Sequence, residues 1–163
     1  MTYSAFSAPI LDLDGLAAAA ANRRNRGEKI ILTNGCFDLI HVGHVRYLLA
    51  AKRIGGFLIV AVNSDRHVRT LKGEGRPFVS ESERAEIVAA FRFVDAVTIF
   101  DDPTVERLID RLKPDFHAKG TDYTIETVPE REIVRRNGGE VVIVGDPKDH
   151  SSTELMDLVS KNG

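Results

Sequence analysis

The sequence predicts an α/β fold, a doubly wound five-stranded parallel sheet in the order 3-2-1-4-5 with helices on both faces. Three observations lead there. Strand-length apolar runs alternate along the chain with segments of helical period. Runs such as Ile30-Ile31-Leu32 and Phe57–Val62 are apolar at successive positions, as in strands covered on both faces. The segments richest in Gly, His and small polar residues follow the predicted strand ends, where open parallel sheets bind ligands.

In chain order, Leu16–Ala21 is Ala-rich and reads as a short N-terminal helix. Lys29–Thr33 is the first strand. His44–Lys52 carries Val45, Leu48 and Leu49 at helical spacing and is stopped by Gly55-Gly56. Phe57–Val62 is the second strand, and Arg66–Val79, with Gly73, Gly75 and Pro77, reads as one long irregular connection. Ser80-Glu81-Ser82-Glu83 is a capping box for a helix expected to bury Ile87, Val88 and Phe91. Ala96–Phe100 is the third strand. Asp102-Pro103 is expected to cap and open a helix with Val105, Leu108, Ile109 and Leu112 inward, ended by Pro114. Asp115–Lys119, the helix Pro129–Asn137 closed by Gly138-Gly139, the strand Glu140–Val144 and a helix over Ser152–Lys161 complete a Rossmann-like order.

At 163 residues, the expectation is a single domain over 1–163, with a helical lead-in at 1–27 and a core at 28–163. With 22 basic and 24 acidic side chains the net charge is −2, so a broad nucleic-acid-binding surface is excluded and an anionic ligand needs a local site. Cys36 is the only cysteine. Disulfide frameworks and CxxC zinc patterns are thereby excluded, and a reducing cytoplasm is the expected location. No apolar run approaches the ~20 residues of a membrane span. Leu16–Ala21 is not read as a signal peptide, because Asp12 and Asp14 precede it where basic residues belong.

The chemistry concentrates in Thr33-Asn34-Gly35-Cys36-Phe37-Asp38-Leu39-Ile40-His41-Val42-Gly43-His44, which ends where a helix begins. Gly35 permits close approach of backbone N–H groups to an anion, and Gly43 relieves crowding beside the imidazoles. His41 and His44 stand one helical turn apart, so both can face one side and donate to phosphate oxygens without permanent charge. Half a metal site is the competing reading, but no third Cys, His or Glu stands at a recognisable spacing, so no metal-ligand set is assigned. Neither GxxxxGK[ST] nor a strand-following GxGxxG is present. Cys36 reads as a small residue in a tight turn, not a nucleophile.

Gly35-Cys36-Phe37-Asp38 with His41-Val42-Gly43-His44 resembles the HxGH signature of the nucleotidylyltransferase superfamily. The resemblance continues through Ala61-Val62-Asn63-Ser64-Asp65, Leu71-Lys72-Gly73, Glu83-Arg84, Phe93-Val94-Asp95, Lys119-Gly120-Thr121-Asp122-Tyr123 and Ser151-Ser152-Thr153. It is strongest toward the cytidylyltransferase-like branch, in particular toward adenylyltransferase domains acting on D-glycero-β-D-manno-heptose 1-phosphate. Glycerol-3-phosphate cytidylyltransferases are nearby relatives.

The resemblance implies attack by an acceptor phosphate on the α-phosphorus of a nucleoside triphosphate, with pyrophosphate leaving and no covalent intermediate. It implies His41, His44 and Lys72 as catalytic residues. Thr33, Asn34, Gly35, Cys36, Phe37, Gly43, Lys119, Gly120, Asp122, Ser151, Ser152 and Thr153 would join the histidines in nucleotide binding. Asp38, Asn63, Lys72 and Arg84 would bind the acceptor. Arg84 serves equally well as a structural salt bridge; a solvated surface lysine is the less favoured reading of Lys72, and an ordinary N-cap is the competing reading of the serines. His117 reads as a local packing variant. The sequence departs from the branch's RTxGIST segment, having Gly145-Asp146-Pro147-Lys148-Asp149-His150 before the serines, so Lys148 is at most a substitute cation.

Mg²⁺ is expected with the triphosphate, and a homodimer or higher homo-oligomer is expected from the family. The favoured reaction is ATP-dependent nucleotidyl transfer to a sugar phosphate. A CTP-dependent glycerol- or polyol-phosphate enzyme is the alternative within the class, and a non-catalytic nucleotide sensor is the alternative outside it.

Overall fold

A computed structural model describes residues 7–146. The parallel sheet has the strand order β3-β2-β1-β4-β5, formed by β1 (Ile30–Gly35), β2 (Phe57–Asn63), β3 (Ala96–Phe100), β4 (Phe116–Lys119) and β5 (Glu140–Ile143). Every expected strand and helix up to β5 is present, and one further helix lies between β2 and the Ser80 capping box. The expected helix over Ser152–Lys161, with Lys148, Ser151, Ser152 and Thr153, lies outside the described residues.

Alternation along the central strands creates two cores. Ile30, Leu32, Ile59 and Ala61 pack toward α1 (Leu13–Asn25), α5 (Glu106–Leu112) and α6 (Arg131–Arg136). Ile31, Leu58, Val60 and Val62 pack on the other face toward α2 (Val42–Arg53) and α4 (Glu81–Ala89). The lead-in does more than precede the core. Ala8 N donates to Ala89 O, Leu11 N donates to Val97 O, and Ile10 bridges Val97 in parallel, which covers the edge left by β3.

Several expectations are corrected. The connection 66–79 is not irregular throughout, because α3 (Asp65–Lys72) occupies its first half, capped by the Ser64 hydroxyl accepting from His67 N. Only Val68 of α3 is buried, so an apolar stripe was too thin to announce a helix. Asp102-Pro103 does not open α5, whose N-cap is Val105 and has no side-chain cap. The residues before it are engaged instead in tying the end of β3 to α3: Asp101 accepts from Ser64 and Arg66, and the Asp102 carbonyl meets His67 Nδ1. Helix α6 begins at Arg131, later than Pro129. The expected α5 stripe is buried. On α4 the inward face is Arg84, Ala85, Val88 and Ala89, while Ile87 is 41% exposed and Phe91 lies beyond the helix, half-buried and stacked on Phe93. The Ser80–Glu83 capping box forms as expected.

No helix among the described residues is long and apolar enough to cross a membrane.

Candidate active site at the β1–β4 switch point

The strand order reverses at β1, and β1 and β4 lie side by side with Thr33 opposite Ala118. Chain leaving β1 runs through residues 36–40 to α2, and chain leaving β4 runs through Gly120-Thr121-Asp122-Tyr123. The two loops therefore start beside each other, at the carboxyl edge where the sequence placed the chemistry.

The HxGH segment forms a capping box made of histidines. His41 is the N-cap of α2 and its Nδ1 accepts from Gly43 N at 3.1 Å; His44 Nδ1 accepts in return from His41 N at 3.3 Å. Two consequences follow from this pairing. Each Nδ1 serves as an acceptor, so in the neutral ring Nε2 carries the proton and is the donor. The rings are also held together, with centroids 4.0 Å apart, and Phe37 lies 5.5 Å from His44. Burial, then the neighbouring His41, then the positive charge of Lys72 push His44 down to about 4. At neutral pH it is an uncharged N–H donor at a helix start.

This has a measurable sign. Between pH 6.5 and 4 the unfolded chain protonates His44 while the folded chain resists, so its contribution to stability is present above pH 6.5 and is lost as pH falls through 4. An NMR titration of the ligand-free protein is expected to place the His44 midpoint near pH 4. Lys72→Gln should raise that midpoint; a midpoint at the ordinary imidazole value would reject the buried environment.

Lys72 is the last residue of α3, not part of an irregular loop, and is exposed. Its positive charge acts on both His44 and Cys36. Burial raises the Cys36 thiol, partly offset by Lys72 and Arg84, so it remains a protonated thiol, in keeping with a packing role. Phe37 has a φ of +49° and is buried, and a Cβ on Gly35 would come within 3.1 Å of its ring. Glycine at position 35 thus lets the Phe37 ring fold back over the end of β1.

Thr33, Asn34 and Lys119 form the floor. The Tyr47 hydroxyl donates to Ala118 O at 2.9 Å and accepts from Thr33 Oγ1, joining α2 to both central strands. Burial raises Tyr47 far above the usual phenol value, so it stays a neutral donor. Lys119 Nζ donates to Asn34 Oδ1 at 3.2 Å and sits 4.9 Å from the Tyr123 ring centroid. Gly120 follows, where a Cβ would come within 2.8 Å of Asp122 Oδ1. Asp122 is exposed at the lip of the same loop.

Two residues expected at the acceptor stand behind the site. Arg84 is fully buried; it donates through Nε to Val79 O, through Nη1 to Cys36 O and through Nη2 to Asp65 Oδ1. Asp38 is also buried and accepts from Arg76 Nη1 at 2.5 Å, Phe78 N at 2.7 Å and Val79 N at 3.3 Å. Both side chains brace the turn after β1 against residues 76–84, so their geometry is that of supports instead of substrate contacts. Asn63 ends β2, one strand away, with its buried Oδ1 unpartnered.

Sequence reasoning missed Tyr47, Arg76 and Glu130. Tyr47 lies three residues after His44 on the same helix, a signal that was available. Arg76 and Glu130 reach their partners only through tertiary folding.

The Cytidylyltransferase-like family model matches residues 32–158. The bifunctional protein HldE of Geobacter metallireducens is 48% identical over 157 residues, which is 96% of this chain and 32% of that protein. Bifunctional protein HldE of Desulfatibacillum aliphaticivorans is 43% identical over 159 residues, 98% of this chain and again 32% of the relative. The chain thus spans about a third of the curated relatives it matches. Among solved structures, the lipopolysaccharide core biosynthesis protein from Thermoplasma volcanium GSS1 shares the fold, with a TM-score of 0.62 and 24% identity over 75% of this chain and 100% of that one. With a family match running from β1 past β5 and including the histidine capping box, the chain belongs to the cytidylyltransferase-like family of nucleotidyltransferases.

Proposed function

We propose that this domain transfers a nucleoside monophosphate from a nucleoside triphosphate, ATP in preference to CTP, to a sugar phosphate of the heptose 1-phosphate class, releasing pyrophosphate. The observation that carries the reading is the histidine capping box. It offers the paired imidazoles, with His44 neutral, and a helix start to one anion, and the charge of Lys72 acts on His44. The preference for ATP and a heptose phosphate rests on the motif resemblance and on relatives named bifunctional protein HldE.

In the reaction an acceptor phosphate oxygen forms a bond to the α-phosphorus while the bond to pyrophosphate breaks and its electron pair leaves with that group. Both reactants are anions, so the work is alignment and stabilisation of charge. His41 and His44 would donate from Nε2 to phosphate oxygens as charge builds, with His44 the closer to the α-phosphate. Lys72 would bring a mobile cation over the phosphates. Asn34, Lys119 and Asp122 would meet the nucleotide from the floor and lip.

Mg²⁺ is expected as the companion of the triphosphate. Among the described residues no group of three or more His, Cys, Asp or Glu is arranged to hold a metal ion. The described residues thus form no protein cage for the ion.

Pyrophosphate release measured over a grid of ATP and CTP against heptose 1-phosphate and glycerol 3-phosphate tests the reading. The ATP and heptose 1-phosphate pair is expected to turn over fastest. Preference for CTP with glycerol 3-phosphate would transfer the assignment to a cytidylyltransferase, and nucleotide binding without turnover on any acceptor would make the domain a sensor.

A further inference from the structure

Beneath the floor of the site lies a buried polar cluster of which the reaction as written uses only Lys119. Glu130, just before α6, is 8% exposed, His117 on β4 is fully buried, and Lys119 is 6% exposed. His117 and Lys119 are two apart on one strand and so share a face of β4. Lys119 Nζ lies 3.4 Å from Glu130 Oε2 and 3.5 Å from Oε1, and His117 Nε2 lies 3.8 Å from Oε2. Burial opposes ionisation of Glu130, but His117 and Lys119 outweigh it and bring the carboxyl down to about 2; burial keeps His117 itself neutral.

Such a cluster is a poor way to add stability. Desolvating an ammonium and a carboxylate costs several kcal/mol each, which their attraction seldom more than repays, and apolar side chains of like volume do as well or better. Here the cost is not even fully recovered, because both His117 ring nitrogens and Glu130 Oε2 lack a well-aligned hydrogen-bond partner. What the cluster does achieve is orientation. Lys119 has only donors, so it selects the oxygen of the Asn34 amide, leaving the Asn34 NH₂ group as a donor for something else.

We propose that Glu130 is a positioning residue, whose buried carboxylate holds Lys119, and through Lys119 the Asn34 amide, in register at the β1–β4 switch point for the incoming nucleotide. The inference rests on the nucleotide reading of the site for its functional half. Its structural half stands alone. Without the carboxylate, a buried ammonium either gives up its proton or turns out to solvent, and either way its donors leave the floor.

The test compares Glu130→Leu and Glu130→Asp with the unmutated chain by NMR of the Lys119 ammonium and by steady-state kinetics. The ammonium signal, protected from exchange in the unmutated protein, is expected to vanish in E130L and to persist in E130D. KM for the triphosphate should rise about tenfold in E130L, with kcat within about threefold, and E130D should restore most of the loss. If E130L does not fold, Glu130→Gln, which keeps the volume and removes the charge, carries the decision by the same ammonium signal and KM. An unchanged ammonium signal in folded E130L overturns the hold. A lowered melting temperature with KM unmoved overturns the positioning role and leaves a purely structural one. If the unmutated chain turns over none of the nucleotide and acceptor pairs, the proposed function fails, while the ammonium signal still decides whether Glu130 holds Lys119.

Discussion

His44→Ala is expected to lower kcat by about 10²-fold or more in a protein that still folds, the loss found when a preorganised donor to transition-state charge is removed. The size follows from the state in which His44 is held. Its Nδ1 is occupied by His41 N, its proton is on Nε2, and burial with Lys72 nearby keeps the ring neutral. In the proposed reaction the donor would therefore need no reorganisation as charge develops on the α-phosphate. The same ring also caps α2, so a stability loss of about 1 kcal/mol accompanies the substitution. His44→Gln separates the two effects. Glutamine at this third helical position can reach back to the N-cap N–H as in an ordinary capping box, which should restore the melting temperature while turnover stays low. Unchanged turnover in folded His44→Ala would remove the ring from the chemistry.

The fold was legible because parallel strands buried on both faces must be continuously apolar, and Ile30–Leu32 and Phe57–Val62 are. The histidine pair was legible because His41 and His44 stand one turn apart at a helix start, a local property, whereas the bonds that their Nδ1 atoms accept from Gly43 N and His41 N were not foreseen. What escaped depends on distance in sequence. Arg84 meets Cys36 across 48 positions, and Asp38 meets Phe78 across 40. From the chain alone, Arg84 reads equally as a salt bridge or an acceptor contact and Asp38 as an acceptor contact, and the folded surroundings supply the buried bonds by which both hold the turn. Helix α3 escaped for a different reason: with Val68 as its one buried residue, it has no stripe to read, and its start depends on the Ser64 hydroxyl. Glu130 had no signal at all, because an acid after Pro129 looks like any exposed helix start until β4 is laid beside it.

Arg84→Met is expected to cost about 3 kcal/mol of stability, the lower end of what removing one partner of a buried ion pair does. Methionine replaces much of the aliphatic stem, so packing changes little and the loss isolates the guanidinium. Three acceptors are then orphaned: Val79 O, Cys36 O and the Asp65 carboxylate. Asp65 is 27% exposed on its side chain and regains some hydration, which is why the lower figure applies. Arg84→Lys should recover little. An ammonium is a single point that cannot serve acceptors approached by Nε, Nη1 and Nη2 from separate directions. Urea denaturation should show the midpoint falling at an unchanged slope. Below the melting transition, kcat and the KM values for both substrates should all worsen modestly, because the Cys36 carbonyl anchors the turn that leads into His41. The alternative has a distinct signature: if Arg84 met the acceptor directly, Arg84→Met would keep the stability of the unmutated chain and raise KM for the acceptor alone, and the assignment of this buried arginine to the scaffold would be withdrawn.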